Sequence, residues 1–149
     1  MDAKPFHTCN AAGLAFPTIN EWSAYCKQHR DSGEPVAEND GFRWNIHDVC
    51  LNPHITAIVS SDNAAFEIET AQRPDKTWVY GWHYSGIMTE PSNGGGSPVM
   101  FCGKNFPTED EAIKDGCKLM LQNDNLAPKW RTIIQTELNQ RRVVQLTLF

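Results

Sequence analysis

No stretch of the 149 residues approaches about 18 consecutive apolar side chains, so no membrane-spanning helix is expected. The opening residues, Met1-Asp2-Ala3-Lys4-Pro5-Phe6-His7, lack a basic segment followed by an apolar run, and no export signal is read in them. Cysteine occurs five times, an odd number, with no Cys-x-x-Cys pair. That disfavours a disulfide scaffold and favours reduced thiols in the cytoplasm. Catalytic signatures are also missing. Without Gly-x-Ser-x-Gly, His-Glu-x-x-His or His-x-Glu with Pro-Cys-x-x-Cys, no enzyme activity is expected. The run Gly94-Gly95-Gly96 is not followed by Lys-Ser/Thr, which excludes a phosphate-cradling loop; residues 91–98 read instead as a glycine hairpin loop.

What is present suffices for a folded body. Apolar residues make up 40% of the chain and charged residues 21%, enough to bury a core and argue against wholesale disorder. The net charge of -5 is unevenly spread. Residues 126–149 hold Lys129, Arg131, Arg141 and Arg142 against Glu137, a balance of +3 that leaves -8 for the remainder. An acidic body over 1–125 with a basic arm over 126–149 as a separate functional piece is one reading; the other, which charge alone favours, is a terminal helix with a solvated basic face.

The pattern along the chain predicts an α+β fold, with an antiparallel sheet of three to five strands, a packing helix, and flanking N- and C-terminal helices. Thr18-Ile19-Asn20-Glu21 is a capping box, and Ile19, Trp22, Tyr25, Cys26 and His29 recur at helical spacing, predicting a helix over 18–30. The polar residues 31–41 read as a loop, and 42–51 fits strand and helix equally. Ile55 to Val59 is β-rich, and 66–84 reads as a hairpin turned at Arg73-Pro74-Asp75-Lys76. Val99-Met100-Phe101-Cys102 reads as a further short strand. A second box, Thr108 to Glu111, opens a helix over 109–122, with Ala112, Ile113, Gly116, Cys117, Met120 and Leu121 on one stripe. Pro128 suits the first turn of a last helix that buries Trp130, Ile133, Ile134 and Leu138 and fades near Arg141-Arg142. Residues 143–149 then form an apolar tail of β propensity.

Three groups of residues carry possible chemistry. Trp78, Tyr80, Trp82 and Tyr84 share one face of a pleated strand, serving either as a core face under the 109–122 helix or as a stacking platform for unpaired bases. With Lys129, Arg131, Arg141 and Arg142 they define a single-stranded nucleic-acid reading. His47, Cys50 and His54, with His7 or Cys9, offer metal-ligand types, but Pro53 breaks their alignment and no metal or cofactor is expected. Cys50 or Cys102 beside a histidine, and Glu67 with Glu69, are the only catalytic pairings to consider, and a solvated sheet surface accounts for the glutamates.

The tail, Gln145-Leu146-Thr147-Leu148-Phe149, resembles the Gln-Leu-(Ser/Asp)-Leu-Phe peptide by which bacterial proteins bind the DNA polymerase sliding clamp. Four of its five positions match, and Thr147 stands at the tolerant polar one. The resemblance implies an accessory protein of replication, repair or mobile-element maintenance, with Gln145, Leu146, Leu148 and Phe149 contacting the clamp and DNA close by. Leu148 and Phe149 would fill an apolar pocket while Gln145 fixes register. Burial of a Leu and a Phe, at about 1.5–3 kcal/mol each before ordering costs, corresponds to micromolar binding. The alternative is a strand that completes the protein's own sheet. Residues 66–122 also resemble, in general character, small domains of mobile-element DNA-modification proteins, through Trp78-x-Tyr80-Gly81-x-x-Tyr84, the glycine loop and Phe106-x-Thr108-x-x-x-Ala112.

Overall fold

The computed structural model describes residues 4–29, 33–90 and 94–147, with side chains described up to Arg141 in the last helix. The fold is α+β, with three helices and nine strands in three antiparallel sheets among the described residues. Strands β1 (His7–Cys9) and β2 (Leu14–Phe16) form a small hairpin. Helix α1 (Ile19–Gln28) follows, its first turn closed by the Thr18 hydroxyl accepting from the Glu21 N–H at 3.2 Å. No α1 residue is fully buried; Trp22 and Tyr25 lie against Phe16, with ring centroids 5.1 and 4.8 Å away.

The predicted loop over 31–41 is corrected in part. Strands β3 (Ala37–Asn39) and β4 (Phe42–Trp44) pair across Asp40 and Gly41, with φ of 53° and 87°. Two positive-φ residues between paired strands make the tight Asp-Gly turn that matches strand twist. The polarity of Glu38-Asn39-Asp40 had masked that signal. Phe42–Trp44 is accordingly strand, which settles the ambiguous start of 42–51.

The main sheet comprises β5 (His54–Ser61), β6 (Ala64–Gln72), β7 (Trp78–Ser85), β8 (Gly94–Ser97) and β9 (Asn105–Phe106), ordered β5-β6-β7-β8 with β9 also on β7. A register shift between Ala57 and Val59 turns Ile58 and Val59 both inward, so two consecutive residues of β5 are buried. The β6–β7 hairpin pairs Phe66 with Tyr84, Ile68 with Trp82 and Thr70 with Tyr80, as the alternation predicts. Its turn is held by Asp75, which accepts from the Thr77 hydroxyl and backbone and from Arg73; these bonds hold its carboxyl down to about 2.

The fourth main-sheet strand lies elsewhere than predicted. Val99–Cys102 is not a strand; the glycine run is, from Gly94 to Ser97. A side chain on Gly96 would strike the Trp82 carbonyl, so glycine lets the chain pair there, and one on Gly95 would displace the Tyr84 hydroxyl, 2.9 Å away. Val99 is buried for a different reason: its carbonyl accepts from Cys50 N–H, tying this segment to the 45–50 loop. Residues 91–93 of the predicted loop lie outside the described residues.

Helix α2 (Glu109–Leu121) starts at Thr108, whose hydroxyl accepts from Glu111 N–H, and α3 (Pro128–Thr147) packs on α2 and β5. Phe66, Ile68, Ile113, Cys117, Met120, Ile134 and Leu138 meet in one core. The opposite face of β6 and β7, at one end, buries Ala71 and Val79 against Phe42, Trp44, Cys50 and Val99. Three expectations for the last helix change. Ile133 is exposed, the helix continues to Thr147 instead of fading near Arg141-Arg142, and residues 143–147 are helical rather than extended. Leu126, Ile134 and Leu138 belong to the same core as β6, so the boundary expected at 125/126 does not divide that core. Leu138→Ala should therefore lower unfolding free energy by about 2–5 kcal/mol, and Ile133→Ala by less than about 0.5 kcal/mol, as measured by urea denaturation.

Candidate functional site

Helix α2 crosses the sheet over β6 and β7 at Gly116. A Cβ there would lie 2.6 Å from Ile68 Cδ1 and 3.3 Å from the Tyr80 ring, so the missing side chain sets how closely helix and sheet approach. Beyond this crossing, β8 offers only glycine and serine, and the space between sheet and helix stays open. The result is a cleft of about 520 Å3. Phe66, Trp82 and Tyr84 form its sheet side, Gly96 brings main chain to one wall, and Gly116, Leu119, Met120, Gln122 and Asn123 form its helix side. None of these residues carries a formal charge at neutral pH.

The four aromatics share a face, as predicted, but they divide into different surroundings. Trp78 sits by the second core, with Phe42 at 6.0 Å and His54 at 5.8 Å between ring centroids. Tyr80 lies under α2 and its hydroxyl donates to Asp115 Oδ2 at 2.8 Å; burial and that carboxylate push its ionisation well above the usual tyrosine range. Only Trp82 and Tyr84 line the cleft.

The basic arm is largely engaged within the fold. Arg131 donates to the Leu121 and Asn123 carbonyls, closing the C-terminal end of α2. Arg141 pairs with Asp110 at 2.9 Å and Glu137 at 3.1 Å. Lys129 Nζ stands 4.5 Å from the Trp130 ring centroid. The side chains of Arg142, Gln145 and Leu146, and the whole of Leu148 and Phe149, lie outside the described residues.

The His/Cys candidates do not converge. Cys50 is buried, which raises its thiol pKa, and its Sγ faces Asn52. His54 Nδ1 lies 2.7 Å from Glu109 Oε2, which also accepts from the buried Thr70 hydroxyl. The His47 and Trp22 rings meet nearly at right angles, and His7 lies tilted against Trp22 with ring centroids 3.9 Å apart. Among the described residues, no three His, Cys, Asp or Glu side chains are arranged to hold a metal ion. Cys102 is exposed, whereas Cys117 is buried, its thiol pushed up to about 12.

Two features had no clear signal in the sequence. The cleft depends on a glycine strand and a helix beginning 12 residues after it meeting the same part of the sheet. Asp48, with φ of 61°, is buried and accepts from the backbone N–H groups of Asn10 and Ala11 at 3.1 and 2.9 Å, pinning the first hairpin to the 45–50 loop. No protein-family model matches the chain, and neither does any curated protein or solved structure.

Glu67 and Glu69 share the sheet face away from α2, as their alternation predicts. Burial, then the neighbouring Glu67 charge, raise the Glu69 pKa, and His83 opposes them. Below the unfolded value near 4.5 the residue is protonated in both states and carries no penalty. As pH rises through the folded value, the penalty of the buried charge develops. Glu69→Gln should accordingly raise the melting temperature at pH 7 and leave it unchanged near pH 3, by thermal melts followed by circular dichroism.

Proposed function

We propose that this chain is a non-enzymatic accessory protein of bacterial replication, repair or mobile-element maintenance, acting in the cytoplasm and recruited to the sliding clamp through Gln145, Leu146, Leu148 and Phe149. The observation that carries the reading is the pentapeptide Gln145-Leu146-Thr147-Leu148-Phe149. Two structural facts support it. Residues 143–147 are helical and so add no strand to the sheet, unlike the alternative in which the tail completes its own fold. The last described core residue of α3 is Leu138, and Arg141 ties the helix to α2 at Asp110, so described contacts ahead of the peptide already attach α3 to the body.

Docking as an extended peptide requires the last turns of α3 to unwind. Terminal turns open at low free-energy cost, so unwinding is compatible with the micromolar affinity expected of the peptide. The body then travels with the clamp, either carrying cargo or occupying the site polymerases use. A single-stranded nucleic-acid role has less to draw on, because Trp78, Tyr80, Arg131 and Arg141 are already engaged. No described helix is long and apolar enough to cross a membrane.

Surface plasmon resonance with immobilised clamp tests the proposal. Saturable micromolar binding is expected, and Leu148→Ala with Phe149→Ala should weaken it by at least about tenfold. Unchanged affinity in that double variant, or no binding by the intact chain, would overturn the reading.

A further inference from the structure

The cleft between β7–β8 and the C-terminal half of α2 plays no part in tail docking. We propose that it binds one uncharged planar heterocycle, a nucleobase presented as a free nucleoside. Its volume of about 520 Å3 falls among those of small-molecule sites. Trp82 and Tyr84 supply aromatic surface from alternate positions of one strand, backed by the buried Phe66. Such surfaces stack on flat π-systems with little dependence on ring identity. On the wall provided by β8, Gly96 brings main chain where any other residue would project a side chain or collide with β7.

Polar recognition comes from Gln122 and Asn123, at the end of α2. Carboxamides present a donor and an acceptor side by side, the pattern that matches the edge of a base. The Asn123 side-chain oxygen accepts from Asn125 N–H at 3.0 Å, which turns its position into a fixed one. Charge distinguishes a nucleoside from a nucleotide or a strand. No lining residue is a lysine or arginine, and the cleft adjoins a helix C-terminus, the end whose dipole disfavours phosphate. Arg131, which follows the cleft's helix end along the chain, is spent on the Leu121 and Asn123 carbonyls.

Isothermal titration of the full chain with adenosine, AMP and a ten-residue deoxyadenosine strand tests this. Adenosine should bind saturably at one site, AMP no more tightly, and raising the salt concentration should leave adenosine binding unchanged. Leu119 is 40% exposed, so Leu119→Trp can fill the cleft from the helix side without disturbing the core. It should weaken adenosine at least about tenfold, the scale of a lost stacking contact. Trp82→Leu, checked for folding by circular dichroism, should do the same, and deletion of 145–149 should leave adenosine binding intact. Absence of saturable adenosine binding, tighter binding of AMP, insensitivity to Leu119→Trp, or salt-sensitive binding of the strand alone would overturn the proposal.

Discussion

The close approach of α2 to the sheet at Gly116 is the constraint on which the remaining architecture depends. With no side chain at that position, the helix settles onto Ile68 and Tyr80, and Ile113, Cys117 and Met120 reach the core. The rest of the packing follows from that seat. Arg131 and Arg141 attach α3 to the two ends of α2, which brings Ile134 and Leu138 inward. The same crossing leaves the β8 side uncovered, so one glycine on α2 and the glycines of β8 together produce both the core and the cleft.

Electrostatics then narrows what the molecule can meet. Fold-level ion pairs absorb Arg141 on Asp110 and Glu137, and Lys114 on Asp110 at 3.1 Å. Asp48 is held in a different way, by hydrogen bonds from the backbone N–H groups of Asn10 and Ala11. A chain of net charge -5, with Arg131 and Arg141 engaged within the fold, has little cationic surface for coating nucleic acid. The proposed attachment through a peptide would instead draw its affinity from apolar anchors, independently of the body's charge.

Local signals in the sequence proved legible wherever a single element decided the outcome. Thr18 and Thr108 both act as N-caps, and the Arg73–Lys76 turn sits between strands whose alternation set the register. Signals failed where a distant partner decided. Val99 reads as strand because it is apolar, yet it is buried by the 45–50 loop; Gly94–Ser97 reads as loop, yet crowding from Trp82 and Tyr84 selects glycine for pairing. Ile133 fits the helical stripe of α3 but faces outward, because the stripe is wider than the contact with α2 and β5. At the candidate site, the shared face of Trp78, Tyr80, Trp82 and Tyr84 was readable, but the covering of two of them was not. Tyr80 is covered where α2 crosses, and Trp78 by Phe42 and His54 from the second core.

The central claim is that the partner is reached through the C-terminal peptide and not through the body. It is tested most directly by backbone amide NMR of the isotope-labelled chain on addition of unlabelled sliding clamp. The account predicts loss or shift of the signals beyond Arg141, with Gly116, the Trp82 indole and the β6–β7 hairpin amides keeping their positions apart from uniform broadening. Shifts centred on the cleft or the sheet, with the C-terminal signals unmoved, would contradict it.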